Sequence, residues 1–99
     1  HARDRRSKRT RREEVATMRG YALAVNAVRG RAAVEYGDDR WAILELANAE
    51  DVAQEDWVDG ALAGAGQVEI YNVSQERTVT VTVCDSGLTM IEALAAAEA

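Results

Sequence analysis

From Tyr21 onward, apolar and polar side chains alternate with a period of two, the pattern of strands that bury one face. "YALAVNAV" reads as a strand carrying Tyr21, Leu23 and Val25 on one side. "RAAVEY" and "WAILEL", separated by "GDDR", read as a hairpin with Tyr36 opposite Trp41 and Val34 opposite Ile43. Cross-strand pairs of this kind each stabilise a sheet by roughly 0.2–1 kcal/mol. The most regular stretch is "QVEIYNVSQERTVTVTVC". With "SQER" as its loop, Val73 pairs with Thr78, Asn72 with Val79, Ile70 with Val81 and Val68 with Val83. Val68, Ile70, Val79, Val81 and Val83 then share a buried face, and Glu69, Tyr71, Thr78, Thr80 and Thr82 share a wet one.

Outside these ribbons the period changes. "SGLTMIEALAAAEA" predicts a helix, with Thr89 and Glu92 as a capping box and Leu88, Ile91, Leu94 and Ala95 on one side. Thr10-Arg11-Arg12-Glu13 has the same capping spacing, and with Val15, Met18 and Gly20 it predicts a weak helix over about residues 11–19. Between the two hairpins, "ANAEDVAQEDWVDGALAGAGQ" fits either a short helical stripe through Val52, Trp57, Val58 and Leu62 or a short strand entering a glycine bend. The expected fold is therefore mainly β with flanking short helices. It is a small five-stranded antiparallel barrel, OB-like with an SH3-like barrel as competitor, closed at one opening by the C-terminal helix. Residues 1–14 form a basic arm and 15–99 the barrel.

Composition narrows the core. Apolar residues make up 47% of the 99, but 19 are alanine, Val, Ile, Leu and Met together number 22, and Phe is absent. Alanine buries little area, so the interior must be small and must lean on valine. The single Cys84 allows no internal disulfide, and no apolar run approaches the ~20 residues that cross a bilayer. A reducing, cytoplasmic setting is expected.

The net charge of −5 conceals a division. Residues 1–12 carry seven cations, Arg3, Arg5, Arg6, Lys8, Arg9, Arg11 and Arg12, against Asp4. The remainder carries five cations against sixteen acids. Arginines at this density suit phosphate contacts, so the arm is a candidate nucleic-acid-binding segment. Two other readings stand beside it: pairing with the acidic body of the same or a second copy, and a chain proper that starts at Met18.

The chemistry of the remaining residues is restrictive. The only histidine is residue 1, and Cys84 has neither a histidine nor a CxxC partner, so nucleophilic and general acid–base catalysis are not expected. Acids cluster at Glu50, Asp51, Glu55, Asp56 and Asp59, but Asp56-x-x-Asp59-Gly60 lacks the spacing of a calcium loop. Gly64-Ala65-Gly66 lacks the residues of a phosphate loop, and Asn72-Val73-Ser74 is a chance sequon in a chain without a secretory pattern. No cofactor or metal is expected. Catalysis by carboxylates alone would require two of the linker acids to converge in a concave pocket. The leading expectation is a non-catalytic interaction module that binds a protein partner or self-associates through Glu50, Asp51, Glu55, Asp56, Asp59 and Tyr71. The alternative is nucleic-acid binding through the arm.

Overall fold

The computed structural model describes residues 16–99, in which alternation builds a wall closed on itself. The strands are β1 (Met18–Asn26), β2 (Arg31–Gly37), β3 (Arg40–Leu46), β4 (Trp57–Gly60), β5 (Gly66–Asn72) and β6 (Arg77–Leu88), followed by helix α1 (Met90–Glu98). They join in the order β1-β2-β3-β6-β5-β4, every neighbouring pair antiparallel, and β4 returns to β1 to close the barrel. Closure gives each of the six described strands a neighbour on both sides. The mostly β barrel with a C-terminal helix matches the expectation, with six strands in place of five. The additional strand is β4. Where an OB barrel carries a helix, this chain places a single 3-10 turn (Ala49–Asp51) and then "WVDG" as a strand. Of the two readings of the linker, the strand entering a glycine bend is the one adopted.

The basic arm and its capping box lie outside the described residues. Met18 and Arg19, expected at the end of a helix, instead open β1, where Met18 pairs with Gly60 and Arg19 with Asp59.

The interior holds Ala22, Ala32, Val34, Ala42, Leu44, Val52, Val58, Leu62, Ile70, Val79, Val81 and Val83, all buried. It is narrow enough that two wall positions carry no side chain. A Cβ on Gly20 would stand 2.5 Å from Val34 Cγ1 and 2.6 Å from Leu62 Cδ1, and one on Gly60 would overlap Ile70 Cγ2. Both glycines lie in the β1–β4 seam, so the seam closes because its inward positions are empty.

The expected faces of the second hairpin hold, but its register is displaced by two. Asn72 pairs with Arg77, Ile70 with Val79 and Val68 with Val81. The loop is Val73–Glu76, because the Val73 N–H donates to the Trp57 carbonyl (2.8 Å) and the Gln75 N–H to Asn72 Oδ1 (3.0 Å). A shift of two preserves which side chains face inward.

The first hairpin shifts by one, which does exchange faces. Val34 pairs with Ala42 and Glu35 with Trp41, and an irregularity between Glu35 and Gly37 releases Tyr36 from the ladder. Ala42 and Leu44 then point inward, and Trp41 and Ile43 outward with Ala33. β1 also carries a bulge between Ala22 and Ala24, so Gly20, Ala22 and Val25 line the interior rather than Tyr21, Leu23 and Val25 as one set.

The outward Trp41, Ile43 and Ala33 are covered by α1 through Ala93 and Ala97. The helix therefore lies on the outer wall of β2 and β3, not over a barrel opening, and Ile91, expected in its buried stripe, is 78% exposed. Its capping box forms as expected, the Glu92 N–H donating to Thr89 Oγ1 (3.3 Å) and the Thr89 N–H to Glu92 Oε1 (3.0 Å). The barrel secures both ends. Asp39 Oδ1 accepts the Met90 N–H (2.9 Å), Arg31 Nη1 donates to the carbonyls of Ala96 (3.0 Å) and Ala99 (2.9 Å), and Asn26 Nδ2 donates to that of Ala97 (3.2 Å).

Candidate functional site

The helix occupies one side of the barrel. The other side, where β4 and β5 meet the first half of β1, lies away from the helix and carries an aromatic cluster. Tyr21 and Trp57 are register partners across the closing seam, with ring centroids 4.9 Å apart and planes tilted by 54°. One row along, Arg19 pairs with Asp59, Asp59 with Tyr71, and Tyr71 with Thr78. Trp57 is 46% exposed and Tyr71 43%, and the β1 bulge leaves Leu23 outward on the same strand as Tyr21.

These rings are held by the backbone beneath them. The Trp57 N–H donates to Ser74 Oγ (2.9 Å), which ties β4 to the β5–β6 turn. Arg19 grips Asp59 with two bonds, Nε to Oδ1 at 2.8 Å and Nη2 to Oδ2 at 2.9 Å. The paired guanidinium holds the Asp59 carboxyl below its ordinary value, weakly opposed by burial. With Arg19 neutralised in this way, the remaining outward charges around the rings include Glu35 on β2, the register partner of Tyr21, Glu69 on β5 and Glu55 just before β4. The wall is aromatic with an anionic rim.

The six residues expected to meet a partner separate into two groups. Asp59 and Tyr71 stand side by side on the wall, and Glu55 borders it. Asp51 and Asp56 turn inward, 5% and 8% exposed. Asp56 Oδ2 accepts from the Ala53 N–H, Asn72 Nδ2 and Gln75 Nε2, each at 2.8 Å. Asp51 Oδ2 accepts the Asn48 N–H (3.1 Å), and Arg77 Nη2 lies 3.5 Å from its Oδ1. Asn72, fully buried, donates to the Asp51 carbonyl as well (2.9 Å). Glu50 leaves its side chain in solvent and offers its carbonyl to Gln75 and Arg77. The acids that looked like one patch are largely the fastening of the 48–56 loop to the β5–β6 hairpin.

That fastening has a pH signature. Burial alone would push the Asp56 carboxyl up, but the Ala53, Asn72 and Gln75 hydrogen bonds and the Arg77 charge outweigh it and hold the group below 3.8. A carboxyl depressed by folding stabilises in full above its unfolded value and loses that contribution as pH falls through the folded one. Asp56→Asn is expected to cost about 1.5–3 kcal/mol at pH 7, the usual worth of hydrogen bonds to a charged group. Urea unfolding at pH 7 and pH 3 checks this, with the gap between the two chains narrowing at the lower pH.

Among the described residues, the other reactive groups are not assembled into a centre. Burial and the nearby Glu45 charge push the Cys84 thiol up, away from the thiolate form that reacts. Among the described residues no three His, Cys, Asp or Glu side chains gather as a metal ion requires, and no helix is long and apolar enough to cross a membrane. The depressed Asp56 is also the reverse of a general acid, whose carboxyl must be raised.

Sequence alternation places Tyr71 on the outer face but does not single out Trp57 or Tyr21, since Trp57 stands among apolar neighbours in the linker. The signal that places it outward is "DWVD", in which inward Val58 is flanked by Trp57 and Asp59 on the same outward parity. No family model, curated protein or solved structure matches this chain.

Proposed function

We propose that the protein is a non-catalytic interaction module that binds a protein partner through the outer wall centred on Trp57 and Tyr71. The supporting observation is the pairing of an inert, filled interior with two half-exposed aromatic rings on the side opposite the helix. Rings of this kind supply large rigid contact area at little entropic cost and dominate the energetics of interfaces. Their rigid base, strand backbone on both sides, adds preorganisation.

The test compares wild type with the double variant Trp57→Ala/Tyr71→Ala on an affinity support. Neither ring belongs to the interior, so circular dichroism should show the barrel retained in both. A partner recovered on wild type and then purified should bind it saturably, with affinity reduced at least tenfold in the double variant, about 1.4 kcal/mol or more. Equal affinity for both chains would remove the wall from the interaction.

A second reading rests on the seven cations of residues 1–12. A nucleic-acid partner held by that segment gives binding that weakens steeply as salt rises. A labelled single-stranded oligonucleotide, titrated from low to physiological salt, is expected to bind the arm in this reading. No binding at low ionic strength ends it.

A further inference from the structure

Resting on the wall as the binding surface, we infer that in the isolated chain this wall is occupied by the chain's own Arg-rich segment, residues 3–12, which a partner must displace. The wall selects a cationic ligand. Trp57 and Tyr71 are half-exposed, with Tyr21 packed against Trp57; aromatic rings attract guanidinium groups, and Glu35, Glu55 and Glu69 border them. Arg19, the one cation among the outward residues of these rows, is committed to Asp59 through two hydrogen bonds. The inward-turned Asp51 and Asp56 are already bonded within the fold, so the arm's acidic counterpart is this wall rather than the linker cluster.

Chain connectivity places the segment within reach. β1 starts at Met18, on the wall itself, and residues 13–17 connect it to Arg12. Extended, that connection spans up to about 20 Å. Tyr21 is three residues along β1, about 10 Å from Met18, and Tyr71 is two strand spacings from Arg19, also about 10 Å. A tether this short gives a local concentration in the millimolar range. A segment that binds with a Kd of about 1 mM is then roughly half docked, and no second copy is needed.

Two tryptophans make this measurable, because Trp41 is buried and Trp57 is not. The probe is acrylamide quenching of tryptophan fluorescence in the full-length chain. It is compared with a full-length variant in which Arg3, Arg5, Arg6, Lys8, Arg9, Arg11 and Arg12 are all replaced by Gln. At low ionic strength the variant should be quenched about twofold more strongly, as half-occupancy requires. The difference should be independent of protein concentration and should shrink as salt screens the charges. Glu55→Lys/Glu69→Lys, with the native arm, should raise quenching to the same level.

Equal quenching of wild type and the seven-Gln chain overturns the inference. So does a difference that vanishes on dilution, which assigns the segment to a second copy. An arm that binds oligonucleotide at low salt while Trp57 stays equally quenchable in both chains overturns it in favour of nucleic acid. None of these results touches partner binding, which is judged by the Trp57→Ala/Tyr71→Ala comparison alone.

Discussion

Trp41→Ala is expected to cost about 3–5 kcal/mol, the range for removing a large buried aromatic side chain. Trp41 is buried under α1, with Ile43 and Ala33 beside it and Ala93 and Ala97 above. The helix contributes chiefly alanines to that contact, so the indole supplies most of its area. Without it, α1 keeps its end bonds to Asp39, Arg31 and Asn26 and the smaller contacts with Ala33 and Ile43. For a domain of this size, with total stability of about 5–15 kcal/mol, that loss leaves little margin. Trp41→Phe should behave differently. The indole Nε1 is buried without a hydrogen-bond partner, a condition that costs about 1–3 kcal/mol. Phenylalanine loses some packing and also removes the orphaned donor, so a net change within about 1 kcal/mol is expected. Urea unfolding followed by circular dichroism distinguishes the two variants. Limited proteolysis of Trp41→Ala should cut first around residues 88–99.

Gly60→Ala is the second large effect. Its Cβ would overlap Ile70 Cγ2 and stand 3.0 Å from Ile70 Cβ, inside the closing seam. Overpacking of this kind costs about 1–3 kcal/mol, and here both neighbours are wall strands that cannot separate without opening the barrel. The contact makes a sharper statement than the single variant. Ile70→Ala alone should cost about 2–5 kcal/mol through the cavity it leaves. In Gly60→Ala/Ile70→Ala the added methyl enters that cavity, so the double variant should fall short of the summed losses by about 1–2 kcal/mol. Strict additivity would mean that Gly60 does not face Ile70.

The difference between what the chain's pattern reveals and what it hides follows from parity and register. In β5 and β6 one face meets the interior and the other water, so alternation identifies Val68, Ile70, Val79, Val81 and Val83 whatever the register. The displacement by two comes from Val73 and Asn72 bonding to neighbours outside the hairpin, which local alternation does not encode. β2 and β3 are buried on both faces. "AAV" and "WAIL" are therefore continuous apolar runs, and such runs carry no parity. Their continuity was itself the sign of a second layer, the helix, lying outside the barrel. β4 has four residues, too few for periodicity to separate strand from helix. The wall is legible only in part for the same reason. Tyr71 lies in the regular hairpin, whereas Trp57 lies in the short strand and Tyr21 just ahead of a bulge that reverses parity. The acidic cluster is not a patch, although carboxylates near in sequence resemble one, because Asn72 and Gln75 hold the Asp56 carboxylate inward and Asn48 and Arg77 hold that of Asp51.

The position of the binding surface can be read from two atoms. Protein labelled with 5-fluorotryptophan gives one fluorine resonance for Trp41 beneath the helix and one for Trp57 on the opposite wall. Titrated with the purified partner recovered on the affinity support, the Trp57 line should shift or broaden to saturation while the Trp41 line stays in place. Saturable binding that leaves the Trp57 line unmoved would contradict the placement of the interaction surface on β1, β4 and β5.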